Sequence, residues 1–402
     1  MDKKIVDILQ YAYKNVPFYK NLYTDIDINI DSVIGFSNLP IVTKEDILEH
    51  FDLMISSEFD ITNLIQSFTS GTTGLQLNVY NTKMEQMRRA MLLWNEREKN
   101  FPNIMRRKKA MFNDATWMGD KYAHIIDDMI YLNTIYLCKD SFEKYYCALN
   151  EFQPEFIHGS TSALYEFTCY LKKTSKKLNY DIKYIELAGE YVPSGVYDEL
   201  KEFFKNTLII NYYGSIEFFS IAHGCKNNNL HETEESVFVE VINQNEEGYG
   251  DLIITSMINK AMPLIRYSLG DIGRIRDNTC TCGKSGRIIE LQSGRKYDYF
   301  IDGERKITAG IFQKILLEYF QQINDEKALI HFNVKQEAKD ILQFTLVLRN
   351  KINVEHITNF LSQKINKYLN HPVKVYVNTQ LDIIGLKKSS KKFKMYDFFK
   401  NI

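Results

Sequence analysis

Apolar residues recur at helical spacing near the start of the chain. Ile5, Ile8, Leu9, Ala12 and Val16 share one stripe, and Pro17 ends it. Leu39-Pro40-Ile41-Val42 reads as an extended piece, after which Thr43, with Asp46 three residues on, marks a helix start. Residues 64–68 and 77–80 read as strands flanking a glycine-containing loop, and a helix rich in Met, Arg and Glu covers 83–100. Helical patterns return at 141–152 and 160–175. The short apolar runs 184–188 and 207–212 read as buried strands with a helix over 194–205 between them. That alternation predicts βαβ units and a parallel sheet.

From about residue 235 the pattern turns β-rich, with strands expected at 237–241, 251–255, 272–276 and 287–291. The last stretch reads as strand 299–301, helix 309–322, strands 329–333 and 341–348, helix 353–369 and strand 373–377. The boundary falls near Arg295-Lys296-Tyr297-Asp298, so two domains are expected, 1–296 and 297–402. No internal repeat or low-complexity linker interrupts them.

At 402 residues the chain is long enough to bury a sizeable core. A hydrophobic fraction of 45% and a charged fraction of 25% are ordinary for a soluble globular protein. A net charge of −1 supplies no global field to recruit nucleic acid or an anionic membrane, and neither is expected as a partner. Met1-Asp2-Lys3-Lys4 opens no apolar signal core, and no apolar run approaches the ~20 residues of a membrane span. A cytoplasmic enzyme is the expectation.

Six cysteines in a chain this long do not form a disulfide framework. Cys138, Cys147 and Cys169 are isolated among apolar residues and are expected in the core. Cys225, His231, Cys280 and Cys282 form a different group: three soft thiolates and an imidazole suit a closed structural zinc site. Gly283, directly after Cys282, permits the tight backbone a knuckle needs. The same spacing is also compatible with three reduced loop cysteines.

Ser67-Phe68-Thr69-Ser70-Gly71-Thr72-Thr73-Gly74 crowds hydroxyls and glycines into one loop. Such glycines allow close backbone approach to a ligand, and hydroxyls with freed N–H groups can donate to phosphate oxygens. The loop has no lysine and is not a GxxxxGK[ST] phosphate loop. Four segments follow it in order: Ala188-Gly189-Glu190, Tyr212-Tyr213-Gly214-Ser215-Ile216-Glu217, Leu264–Asp271 and Ser293-Gly294-Arg295-Lys296-Tyr297-Asp298. Together with the lysine-rich C-terminal stretch, this order resembles the adenylate-forming superfamily of acyl-CoA synthetases, peptide-synthetase adenylation domains and luciferase. Within it, Asn15-Val16-Pro17-Phe18-Tyr19, Leu39–Lys44 and Cys280-Thr281-Cys282-Gly283 are most similar to the phenylacetate–coenzyme A ligase branch.

The resemblance covers almost the whole chain. It implies an α/β fold with a large N-terminal AMP-binding domain, built of parallel sheets and a β-rich subdomain, and a small mobile α+β C-terminal lid domain. It also implies a reaction. A carboxylate attacks the α-phosphorus of ATP, and catalysis requires charge neutralisation and in-line positioning of two anions. Thr69, Ser70, Gly71, Thr72, Thr73 and Gly74 would wrap the β- and γ-phosphates. Glu217 resembles the family's Mg²⁺ ligand, and Mg²⁺ favours one or two carboxylates plus phosphate oxygens. Asp271 resembles the acceptor of the ribose hydroxyls, and Arg295 a ribose or phosphate contact. Ala188, Gly189, Glu190 and Asn211, Tyr212, Tyr213, Gly214 and Ser215 would line the nucleotide site, with Tyr212 or Tyr213 stacking on adenine. Lys392 stands where the family keeps a lysine bridging carboxylate and α-phosphate, with Lys391 as the neighbouring alternative.

This chain departs from the pattern at several points. Ile216 replaces the usual hydroxyl residue before the acidic position, Leu75-Gln76-Leu77 replaces a Pro-Lys, Leu269 a Thr, and Tyr297 an Asp. The acyl pocket is expected at Trp117 and at His158, Gly159 and Ser160, for an aryl or medium apolar acid, while Asp114 offers a contact for a substrate amine. The acceptor thiol is expected to be that of coenzyme A. A carrier-protein phosphopantetheine arm or a protein cysteine is the alternative, and a weakly catalytic nucleotide-binding protein, motivated by Ile216, is a further one. A homodimer is also compatible with the sequence.

Overall fold

The computed structural model describes residues 2–24, 35–68, 77–113, 115–135, 137–277, 279–295, 299–303, 305–308, 310–325, 328–381 and 396–397. They form two compact units, each assembled from two chain segments: Met1–Met105 with Asn211–Leu291, and Arg106–Ile210 with Gln292–Ile402. No helix among the described residues is long and apolar enough to cross a membrane.

In the first unit, the helix Asp2–Asn15 buries Ile5, Ile8, Leu9 and Ala12 in a core shared with Leu39, Val42, Val239, Ile254 and Tyr267. The stripe read from the sequence is thus the buried face. Thr43 and Asp46 form a reciprocal capping box on the helix Lys44–Glu49, and Thr82 and Glu85 form another on Lys83–Asn100. The strands Ile65–Phe68 and Asn78–Asn81 pair antiparallel. The β-rich part runs in the order Val237–Ile242, Gly250–Ser256, Tyr267–Arg276, Ile288–Arg295, Leu230–Glu232, Phe219–Gly224 and Leu208–Ser215. The strand expected at 272–276 begins earlier, at Tyr267, because Gly270 at φ +85° carries the chain through a register shift without ending the strand.

In the second unit, Tyr184–Ala188, Phe156–Ser160, Lys109–Asn113 and Met129–Asn133 pair parallel in that order, with Ala123–Ile126 antiparallel at the edge. One face carries Phe112, Ile157, Ile185 and Leu187 into a core with residues of the helices Lys139–Phe152, Thr161–Lys173 and Ser194–Phe203. Four of these five strands escape sequence reading, the edge strand Ala123–Ile126 among them. Phe156–Ser160 contains His158 and Gly159, and two others, Lys109–Asn113 and Met129–Asn133, are five residues long with no clean alternation.

Gln292–Ile402 adds a four-stranded sheet in the order Lys374–Gln380, Ile341–Leu348, Leu329–Ala338, Tyr396–Asp397. The helices Gly310–Gln322 and Val354–Asn366 cover it, around a core that includes Phe312, Leu316, Phe320, Phe344 and Leu361. This sheet meets the helix Ser194–Phe203 closely. A Cβ on Gly195 would lie 2.3 Å from the Leu329 carbonyl oxygen and 2.4 Å from the Ile330 Cα. Arg349 pairs with Glu199 at 3.0 Å and Glu202 at 3.1 Å beside that contact.

Candidate active site and metal cluster

In the first unit the acidic motif residues stand on two strands, Glu217 in the turn after Leu208–Ser215 and Asp271 within Tyr267–Arg276. Leu208–Ser215 carries half-buried Asn211 and then turns through 216–218. Ser215 Oγ accepts a hydrogen bond from the Phe218 N–H at 3.2 Å, which holds the turn, while Ile216 is 45% exposed. The turn must be tight: a Cβ on Gly214 would lie 2.0 Å from the Phe219 carbonyl oxygen. Tyr212 donates to that same carbonyl at 2.7 Å, with its ring beside His223. Glu217 is buried, and its backbone carbonyl accepts from the Arg89 guanidinium.

Arg89 also donates to Asn81 Oδ1 at 2.7 Å. Burial pulls its pKa down to about 10, opposed by the charges of Glu85, Tyr212 and Glu217. It therefore remains a cation at neutral pH and fixes the backbone of the residue that resembles a metal ligand. Sequence reading missed Arg89, since an arginine within a charged helix carries no signal of being buried. Tyr213 lies in the core and donates its hydroxyl to Asp271 Oδ2 at 2.8 Å. Asp271 follows Gly270 at the register shift, so local irregularity sets its direction.

The second unit places the other motif residues at the carboxyl ends of its parallel strands, the edge at which open α/β sheets bind ligands. Ala188 ends its strand, and Gly189 turns the chain at φ +75°. The Glu190 carboxylate accepts from the Ser162 N–H and Oγ, both at 2.8 Å, and so sits at the positive end of the helix Thr161–Lys173. Ser160 caps that helix through Ala163. Gly159 is required by packing, because a Cβ there would meet the Phe112 Cβ at 2.6 Å. His158 Nδ1 lies 2.7 Å from Glu186 Oε1, and Glu186 is fully buried in an otherwise apolar strand. Sequence reading named His158 but not its carboxylate partner. Trp117 is 57% exposed and meets His124 and Tyr131 edge to face.

The four residues singled out for a metal do converge. One ligand atom each from Cys225, His231, Cys280 and Cys282 lies within 4.8 Å of all the others. Cys225 and Cys280 sulfurs are 3.7 Å apart, and Cys282 Sγ is 3.3 Å from His231 Nε2. Metal–ligand bonds of about 2.3 Å to sulfur and 2.0 Å to nitrogen give tetrahedral edges of roughly that size. The surroundings fit too. His231 Nδ1 faces the Ser285 carbonyl at 3.2 Å, which leaves Nε2 for the cluster, and the Lys284 N–H donates to Cys282 Sγ at 3.3 Å. Gly283 takes φ +87°. Burial raises Cys225 to about 11. At Cys280 burial also opposes ionisation, yet hydrogen bonds from Asn229, the Cys282 backbone, Asn227 and His231 bring it down to about 5. Cys138 and Cys147, expected in the core, are exposed, and Cys169 is half-buried. Cys138 is the N-cap residue of Lys139–Phe152, Cys147 lies on that helix's exposed side, and Cys169, on Thr161–Lys173, packs against the edge of the core.

Thr69–Gly74, Asp114, the Lys296–Asp298 segment, Lys391 and Lys392 lie outside the described residues, and Arg295 ends the strand Ile288–Arg295.

No family model matches the chain. Protein CapK of Staphylococcus aureus is 21% identical over 392 residues, covering 92% of this chain and 86% of CapK. Phenylacetate-coenzyme A ligase of Escherichia coli strain K12 is 22% identical over 404 residues, covering 94% of this chain and 87% of the ligase. The ligase of the same name from Thermus thermophilus is 23% identical over 326 residues, covering 75% and 70%. Among solved structures, 2-hydroxyisobutyryl-CoA ligase in the postadenylation state with 2-HIB-AMP superposes with a TM-score of 0.70 at 13% identity, covering 99% of this chain and 88% of that one. The anthranilate CoA ligase AuaEII with anthranoyl-AMP gives 0.51 at 12% identity, covering 85% and 67%. The fold is therefore that of these ligases.

Proposed function

We propose that this chain, which has the fold of the adenylate-forming CoA ligases, uses ATP to convert a carboxylic acid to an acyl-adenylate and then forms a thioester with coenzyme A. The observation that carries this reading is the extent of likeness to a phenylacetate–CoA ligase, 94% of the chain. In the first step a carboxylate oxygen bonds to the α-phosphorus and pyrophosphate leaves. In the second a thiol sulfur bonds to the acyl carbon and AMP leaves.

Glu217, on a backbone fixed by Arg89, is assigned as a Mg²⁺ ligand, and Asp271, oriented by Tyr213, as acceptor for the ribose hydroxyls. Ala188-Gly189-Glu190 is assigned to adenine, and His158 and Ser160 to the acid. The hydroxyl-rich loop Thr69–Gly74 cradles the phosphates. Residues 297–402 act as a lid carrying Lys392, whose compact ammonium charge suits bridging two anions. Cys225, His231, Cys280 and Cys282 hold one structural Zn²⁺. The protein acts in the cytoplasm, where ATP and coenzyme A are at hand.

Glu217→Ala tests the assignment. ATP–pyrophosphate exchange is expected to fall by at least about 100-fold in a variant that still melts cooperatively. Exchange at the wild-type rate overturns it. Mass spectrometry of products, with coenzyme A and then with a phosphopantetheinylated carrier protein, identifies the acceptor.

A further inference from the structure

Parallel strands of the second unit share a face at their carboxyl ends that is far more polar than its opposite. Met111, His158 and Glu186 are register partners across Lys109–Asn113, Phe156–Ser160 and Tyr184–Ala188, so their side chains leave the sheet on one side. Phe112, Ile157 and Leu187 leave on the other, into the apolar core. Glu186 is the anomaly. Its neighbours in Tyr-Ile-Glu-Leu-Ala are all buried, and its own side chain is fully buried. A carboxylate there costs several kcal/mol unless it is paired.

The partner is the His158 ring, which keeps 18% of its side-chain surface accessible while Nδ1 is held by Glu186 at 2.7 Å. A buried carboxylate on one ring nitrogen fixes the imidazole in orientation and tautomer. A second observation stands one strand over and two residues along. Asn113 ends Lys109–Asn113 on the same face, and its Oδ1 is buried with no hydrogen-bond partner among the described residues. A buried acceptor without a donor is rare in a folded protein and calls for one.

We infer that the Glu186-held His158 and the Asn113 amide oxygen form a polar subsite for a hydroxyl or amino substituent on the acid, so that the substrate class is hydroxy or amino carboxylic acids. This rests on the acid-activation reading above. It narrows the apolar pocket expected from sequence: the buried Asn113 Oδ1, on the same face as the Glu186-held imidazole, rewards a ligand with O–H or N–H groups and stays without a donor against a plain hydrocarbon. His158 and Asn113 meet the substrate, and Glu186 is a positioning residue.

The test is ATP–pyrophosphate exchange with acids matched in size: benzoate with its 2-hydroxy and 2-amino forms, phenylacetate with mandelate and phenylglycine, and butyrate with its 2-hydroxy and 2-amino forms. In at least one set, the hydroxy or amino acid is expected to exceed its parent in kcat/KM by at least about 100-fold. Asn113→Leu and, independently, Glu186→Gln are expected to bring that ratio below about tenfold, whereas a merely structural role would lower all acids of a set alike and leave the ratio unchanged. Parent acids used as well as their substituted forms in every set overturn this inference and leave acid activation standing. An unchanged ratio in both variants also overturns it. Absence of exchange with every acid overturns the acid-activation reading, and the subsite falls with it.

Discussion

His331 is 2% exposed in the strand Leu329–Ala338, and burial holds its imidazole down at about 3, against 6.5 in an unfolded chain. The sign of the consequence follows from linkage. Between those values the unfolded chain binds a proton that the folded chain does not, so the neutral ring's contribution to stability is complete above about pH 6.5 and is lost as pH falls toward 3. His331→Gln removes the titration. The urea midpoint of the variant is expected to fall less between pH 7 and pH 5 than that of the wild type. Equal falls would mean that the ring takes up its proton in the folded state. No local pattern marks this histidine as buried, because the strand's alternation places it only relative to Phe332. The same holds for Arg89 and Glu186, each charged by type and buried by its surroundings.

At the scale of elements, the first turn of Ser194–Phe203 comes within backbone contact of the strand Leu329–Ala338. Gly195 is there because backbone atoms of Leu329 and Ile330 occupy the place of a Cβ. Helix propensity alone favours alanine at such a position by up to about 1 kcal/mol. The contact reverses this: Gly195→Ala must push carbonyl and Cα apart, and overpacking of that kind costs about 1–3 kcal/mol. Chemical denaturation of Gly195→Ala is expected to show a loss in that range. A gain in stability would mean that the helix and strand separate readily. The helix and the start of the strand, at 329–333, were each legible from their own apolar pattern, whereas their contact, across more than a hundred residues of sequence, was not.

Across the whole molecule, each compact unit is sewn from segments far apart in the chain. In the first unit the cysteine–histidine cluster joins 225–231 to 280–282, and Lys284 just beyond it reaches back to Glu96 at 2.9 Å and the Gly224 carbonyl at 3.0 Å. A metal held there acts on folding, since its ligands are brought together only in the folded chain. Protein purified without chelator is expected to carry about one zinc per chain in an S₃N site. Extraction with a strong chelator, or Cys282→Ser, is expected to lower the melting temperature by several degrees, as a loss of about 3–5 kcal/mol would in a chain of this size. Metal-free protein with unchanged melting, or a disulfide involving Cys280, would remove the clamp from the picture.

The sequence by itself determined the periodicities that made Asp2–Asn15, Lys83–Asn100 and the β-rich stretch recognisable, the cap at Thr43, and the order of motifs that pointed to acid activation. These are local facts, carried by spacing and residue type, and local interactions suffice to express them. The cluster of Cys225, His231, Cys280 and Cys282 belongs with them in composition, because soft ligands have few other uses in such a group. Only the tertiary structure decided that their ligand atoms lie within 4.8 Å. It also decided that Tyr213 turns its hydroxyl to Asp271, that Arg89 reaches the Glu217 backbone and that Glu186 grips His158. Each of these joins residues from different elements, and their polar groups are costly to bury except in the pairing that strand register and helix packing bring about.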